Sequence, residues 1–493
     1  LYCDMLGSAR WVGELAQRYP AREITPLTPW FANISIHDVE ITGCSTLVDV
    51  SALPEKPVKN FFFGNVKAHC DRIGKICDAT KFSMKDVRIE SCDTVMRIDN
   101  CDYASFFGFS NVTTGSSVKI EKTGGECRYL NVQTYPLVPV NYQSIRPGEV
   151  WLDTEGKPIQ AHGFQVTFRE GKYYWYGEDK THTLFGTNRM FGGVRCYSST
   201  DFYNWKDEGR IIEPATDPHS PLHHCQKLER PHILYCAKTG RYVCWLKSQS
   251  NDGHFVILEA EHFMGPYHFV RNLKPNGFAV GDFDMYADPD TGKGYVWFER
   301  PHWEQICAEL SDDYTNVNGR YSEHFVGKVP PFTREAAAHF VMDGKHYIYT
   351  SGTTSYTPNP SEVAVFDDYH GEYTVLGNPH IGDEYAHSFC SQITSVIKIP
   401  GKDLYVAMAD RWLPHTNKTD IPKKDWQSFL TRYKDHRPYP KDFATPKVAD
   451  RFYTLVNPNQ DVYKATYVFL PIVVKDGIPM IEWKDEWKLE NYE

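Results

Sequence analysis

The chain has 493 residues, with 53 Lys and Arg against 63 Asp and Glu, a net charge of −10 and an aromatic content of 14%. That length exceeds one typical core, so two domains are expected. Acidic and basic residues are interspersed, no Lys/Arg run is long enough to track a phosphate backbone, and no stretch nears the roughly 20 apolar residues of a membrane span, which excludes nucleic acid as a partner and a transmembrane helix.

The chain opens at Leu1 without a basic-then-apolar leader, so no signal names a compartment. Seven of the thirteen cysteines (Cys3, Cys44, Cys70, Cys77, Cys92, Cys101 and Cys127) crowd the first quarter. None sits in a Cys-x-x-Cys pair and the spacing is no metal pattern. They read as free thiols packing as small apolar groups, with one or two disulfides as the alternative.

In the same region a short alternating strand recurs, closed by Asn or Asp before Val: Asn33–Val39, Asn60–Val66, Lys81–Val87 and, more loosely, Ser105–Val112. Measured at that Val the spacing is 27, 21 and 25 residues, the length of one coil of a right-handed parallel β-helix. Asn and Asp suit the sharp bends between its strands. Residues 1–140 are therefore expected to form a partial β-helix.

A second repeat follows Pro147, in which a strand, a Gly-containing tight turn and an aromatic-rich strand recur as Val166–Gly177, His232–Lys247, Asp284–Glu299, His339–Gly352, Val396–Asp410 and Pro471–Trp483. Weaker strand pairs lie between most of them, at Val194–Phe202, Val256–Ala260, Ile306–Leu310 and Val363–Phe366. Paired hairpins make four-stranded blades, and residues 146–493 hold enough for a five-bladed β-propeller whose last blade is completed near the terminus. The fold class is all-β.

The first segment resembles the end of a polygalacturonase-type β-helix of glycoside hydrolase family 28, on Pro29–Thr42, Leu53–Val58 and the coils that follow. That family's catalytic carboxylates, Gly-His-Gly and Arg-x-Lys are not found here, so this β-helix is expected to be catalytically silent.

The larger segment resembles glycoside hydrolase family 43, and within it the branch of exo-acting galactan 1,3-β-galactosidases. The motifs, in order, are Ile159–Gly163, Tyr174–Lys180, Glu229-Arg230-Pro231, Gly281–Asp284, Glu335-Ala336, Ser351–Thr354 with Pro358–Pro360, and Ser391-Gln392. The family is inverting, so the resemblance implies an acid and a separate activator of water. Glu335 stands where the family has its general acid, beside Arg334 and followed by three alanines that would leave room for a sugar. Asp282 stands where a carboxylate tunes that acid, the alternative being that Asp282 and Asp284 are plain strand-end or cation-binding residues. Glu229 stands where the branch has an active-site Glu.

Most of the family carries an Asp as base on the first inner strand, where this chain has His162. The branch substitutes a glutamine, matching Gln392, and a neutral amide works only as an imidic tautomer or by positioning water for Glu229 or His162. Gln160, His162, Tyr176, Glu178, Thr354 and Asn359 are the expected substrate-binding residues. Trp175, Tyr176, Phe185, Trp303, Tyr356 and Trp412 could stack on sugar. Phe164-Gln165 and Phe283-Met285 depart from the branch pattern, and bulk near the reacting sugar would change which sugar fits.

These features imply an inverting exo-glycosidase acting on side chains of plant polysaccharide such as galactan or pectin, most nearly a β-1,3-galactosidase. An α-L-arabinofuranosidase or β-xylosidase on the same propeller and a non-catalytic glycan-binding propeller are the alternatives. No cofactor is required, and a structural calcium ion could sit in the central channel. The partner is an oligo- or polysaccharide, and family habit makes the protein secreted or periplasmic.

Overall fold

A computed structural model describes residues 2–4, 20–134, 140–181, 183, 190–249, 253–328, 332–354, 356, 358–413 and 462–493. The chain folds as two compact units, Leu1–Val140 with Thr154–Lys157, and Asn141–Asp153 with Pro158–Glu493. No helix among the described residues is long and apolar enough to cross a membrane.

The first unit is a parallel β-solenoid of about four turns. Val39 lies opposite Val66, Ser83 opposite Ser105 and Ser105 opposite Asn131, coil-to-coil steps of 27, 22 and 26 residues. Every second side chain points inward, and like stacks on like: Phe61 and Phe82 are parallel at 4.7 Å between centroids. The bends are built as the Asn/Asp pattern predicts. Asn33, Asp38, Asn60, Asn65, Asp78, Asp86 and Asn100 all take positive φ, and amides bridge coil to coil, Asn60 to Asn33 at 2.8 Å and Asn65 to Asp38 at 2.6 Å.

The fourth repeat sits in a different register from the sequence pattern. Arg88 pairs with Ser110, which sets Val87 opposite Phe109, not Val112. Phe109 is buried and Val112 is about half exposed, because the inward slot takes whichever side chain the register delivers. Apart from Cys77, the cysteines whose side chains are described are free; of those twelve side chains seven are buried in one unit or the other and the rest are partly or fully exposed, such as Cys92.

The second unit is a five-bladed propeller. Blade 1 comprises His162–Arg169, Lys172–Glu178, Val194–Ser199 and Lys206–Ile212; blade 2, Leu228–Cys236, Arg241–Ser248, His254–Ala260 and His268–Leu273. Blade 3 comprises Phe283–Ala287, Gly294–Glu299, Gln305–Leu310 and Val317–His324; blade 4, Arg334–Met342, Lys345–Gly352, Glu362–Phe366 and Thr374–Gly377. Blade 5 comprises Gln392–Lys398, Tyr405–Arg411, Thr466–Lys475 and Ile478–Glu482, edged by His380–Ile381. The Pro471–Trp483 hairpin is thus the outer half of blade 5.

Each second strand carries its large ring inward between blades: Trp175, Trp245, Trp297 and Tyr349 are fully buried. This accounts for the aromatic-rich second strand of the repeat. Among the described residues, the ring closes between blades 1 and 5 without strand exchange. Ala161 N–H donates to the Tyr467 hydroxyl, which donates to Ile159 O, both at 3.0 Å, and Ile145 and Trp487 exchange two backbone bonds.

Candidate active site

The site grows out of one local irregularity repeated around the ring. Inner strands of blades 1, 2 and 4 open with a residue, a second residue at positive φ and a shift in register: His162-Gly163, Glu229-Arg230 and Glu335-Ala336, with φ of 54°, 52° and 50° at the second residue. Blade 5 shifts register between Ile393 and Ser395, just after Gln392. A bulge re-aims the side chain before it, and Glu229, Glu335 and Gln392 come to line one cavity while His162 does not. Register also sets a residue of each second strand beside each opening: Glu178 beside His162, Lys247 beside Glu229, Ser351 beside Glu335 and Asp410 beside Gln392. Blade 3 contributes Asp282, whose carbonyl accepts the Glu299 N–H at 2.9 Å.

These groups form one charged network. Lys247 Nζ lies 2.6 Å from both Glu229 and Asp282, Arg230 Nε lies 2.8 Å from Asp282, and Lys227 lies 3.3 Å from Glu229. Lys180 pairs with Glu178 at 2.5 Å. The Gln392 amide is held on all sides: its oxygen accepts from Trp412 Nε1 at 2.9 Å and Arg230 at 3.2 Å, and its nitrogen donates to Glu335 at 3.2 Å and Ser351 at 3.1 Å.

Glu335 differs from its neighbours in having no cation paired to it. Burial first, then the charges of Asp282 and Glu299, push its carboxyl well above the usual carboxylate range, against the weaker pull of Lys247 and Arg230. Burial acts on Glu229 and Asp282 too, but lysines (Lys247, Lys227 and Lys180) outweigh it at Glu229, and Arg230 with Lys247 outweighs it at Asp282, so both stay below that range. Arg334 faces away, bonding Thr350 Oγ1 and O at 3.0 and 2.9 Å.

Two cavities meet here. One of about 310 Å³ is lined by Glu178, Glu229, Arg230, Tyr356, Gln392 and Trp412 among others, and is large enough for one monosaccharide ring. The second, about 870 Å³, runs along blade 3. Lys247, Gln249, Asp282 and Glu335 line both.

Several residues expected at the sugar lie elsewhere. His162 is fully buried, with Nδ1 2.9 Å from Asp410, so it braces blade 1 against blade 5. The backbone N–H of Gln160 donates to Tyr197, and the Tyr176 hydroxyl accepts from Ile233, both off the cavity wall. Asn359 clamps Gly352 in both directions and donates to Thr354 at 2.7 Å, holding the strand end beside Ser351. Phe164 packs on Trp175 and Phe469, and Ala336–Ala338 are wholly buried, so neither adds bulk or room at the cavity. Trp175 and Tyr176 are core rings, Tyr356 and Trp412 line the first cavity, Trp303 lines the second, and Phe185 lies outside the described residues.

Asp284 ties strands together, within 3.0 Å of His232 and accepting from His339 N at 2.6 Å. Glu178, Glu229 and Asp282 are each paired with Lys or Arg. The residues that sequence reading passed over are Lys247, Lys227 and Gln249. Their signal is a Lys closing the apolar run Val243–Leu246, opposite Glu229 in the hairpin register.

Solved structures share this architecture. A family 43 β-1,3-galactosidase is 27% identical over 71% of this chain, at a TM-score of 0.57; the match takes in 65% of that protein, under two thirds of it. A second family 43 β-1,3-galactosidase, solved with galactodeoxynojirimycin, is 27% identical over 70% of this chain and 100% of its own, at a TM-score of 0.56. An exo-β-1,3-galactanase from Clostridium thermocellum is 25% identical over 70% of this chain and 66% of its own, at a TM-score of 0.53. No curated protein sequence matches. The sequence model of glycosyl hydrolases family 43 matches residues 164–396, from the first strand of blade 1 into blade 5.

Proposed function

We propose that the propeller is an inverting exo-glycosidase that releases galactose from the end of a β-1,3-linked galactan, as a secreted or periplasmic enzyme. The observation that carries this reading is Glu335, a carboxyl raised well above the usual range, on the wall shared by a one-sugar cavity and an open one. A protonated acid at that junction stands where a terminal sugar's glycosidic oxygen would lie. The small cavity takes the terminal sugar, which makes cleavage exo. The similarity to β-1,3-galactosidases supports galactose as that sugar.

In this mechanism Glu335 protonates the departing oxygen, and Asp282, ionised by its pairing with Arg230 and Lys247, keeps the acid protonated until then. Water attacks from the opposite face of the sugar. His162 is spent on Asp410 and the Gln392 amide on Trp412, Arg230, Glu335 and Ser351, which leaves Glu229 as the proton acceptor. Glu229 is a weak base because Lys247 and Lys227 stabilise its charge, so acceptance comes late, as positive charge develops on the sugar and water.

The test is release of sugar from β-1,3-galactan and from 4-nitrophenyl β-galactoside, α-L-arabinofuranoside and β-xyloside. Wild type is expected to turn over the galactosides with inversion seen by NMR, and Glu335→Gln to lose about 10²–10⁴-fold on galactan. Turnover of a pentoside alone would reassign the sugar. Glycan binding without turnover of any substrate would make the propeller a lectin.

A further inference from the structure

The second cavity contains an aromatic surface that the chemistry above does not use. Trp303 is 65% exposed, the most exposed described tryptophan, yet it is rigidly held. It lies in the short turn joining the second and third strands of blade 3, where Trp303 N–H donates to Arg300 O and Arg300 N–H donates to Glu304 O, both at 2.9 Å. His302 takes positive φ and its N–H donates to Glu299 at 2.7 Å. The Arg300 guanidinium lies 5.5 Å from the Trp303 ring centre and 5.6 Å from that of Phe278, bracing one ring against the other. Its Nε is buried and has no hydrogen-bond partner in the protein.

A large ring left in water and fixed by its turn binds a flat apolar face at low entropic cost. The face of a pyranose is such a surface. Glu335 lines the same cavity, so a sugar seated there would be the one whose oxygen Glu335 protonates.

We propose that Trp303, braced by Arg300 and Phe278, is the platform on which the first hexopyranose of the departing chain stacks. This rests on the hydrolase reading and adds to it the side on which the leaving chain lies. The platform thereby favours substrates with a sugar leaving group over those with a small one.

The experiment compares Trp303→Ala and Trp303→Phe with wild type on β-1,3-galactotriose and on β-galactosyl fluoride, whose leaving group cannot reach blade 3. For Trp303→Ala, kcat/KM on the triose is expected to fall about tenfold, mainly through KM, while fluoride turnover is unchanged. Trp303→Phe is expected to recover most of the loss. Equal effects on both substrates, or none on the triose, would overturn the platform and leave the hydrolase standing. Wild type idle on both substrates would overturn the hydrolase reading and the platform with it.

Discussion

Glu335 and Asp282 show how two carboxyls on one cavity wall acquire opposite states. Asp282 keeps two cations, at 2.6 and 2.8 Å, whereas Glu335 keeps only the amide of Gln392. Charge on Asp282 is the second cause, after burial, of the raised Glu335 pKa, so Asp282→Asn removes an influence that disfavours ionisation. Arg230 and Lys247, released from Asp282, then pull in the same direction. Glu335 ionises at lower pH, its protonated fraction at a given pH falls, and the alkaline limb of kcat/KM moves to lower pH, with a lower plateau. A pH–rate profile of the variant checks this; a limb that stays put or moves up contradicts the assignment of Glu335 as the acid that Asp282 tunes.

At the scale of the strand, the bulge is what converts a β-hairpin into part of a site. Only glycine sits easily at positive φ, and blade 1 uses Gly163, where an added Cβ would meet Glu178 Oε1 at 2.5 Å. Blades 2 and 4 place Arg230 and Ala336 there instead and accept the strain, as functional positions commonly do. Ala336→Gly relieves the backbone and is expected to leave stability within about 1 kcal/mol of wild type or above it. Ala336→Val puts a β-branched residue at φ 50° in a fully buried position and is expected to cost about 1–3 kcal/mol and to lower kcat by re-aiming Glu335. Chemical denaturation beside steady-state kinetics separates the two; a Val variant with wild-type kcat would show that the bulge does not aim the acid.

For the propeller as a whole, closure falls at the seam between blades 1 and 5, which no shared strand crosses among the described residues. The seam is held by groups distant in sequence: Tyr467 with Ile159 and Ala161, Asp410 with His162 and Gly163, and Thr394 with Phe164. Tyr467→Phe leaves Ala161 N–H and Ile159 O buried without that partner and is expected to destabilise the propeller by about 1–3 kcal/mol. Urea denaturation measures it, and a loss below about 0.5 kcal/mol would show that ring packing alone closes the seam. Because the same seam orients Asp410 behind Gln392, activity is expected to fall alongside stability.

Read alone, the order of residues was enough for two repeats, an all-β chain, the five hairpins that open blades and the strand starts bearing Glu229, Asp282, Glu335 and Gln392. Period-2 alternation, tight turns and Asn/Asp bends are local, and local chemistry can be read along the chain. It was not enough for register or for convergence. Phe109 rather than Val112 fills the solenoid slot, His162 turns into the seam, and Lys247 reaches both Glu229 and Asp282, because each outcome depends on which strand lies beside which and where a bulge shifts the pairing. Those are facts of the closed ring, in which side chains as far apart in sequence as Arg230 and Gln392 come within a hydrogen bond of one another.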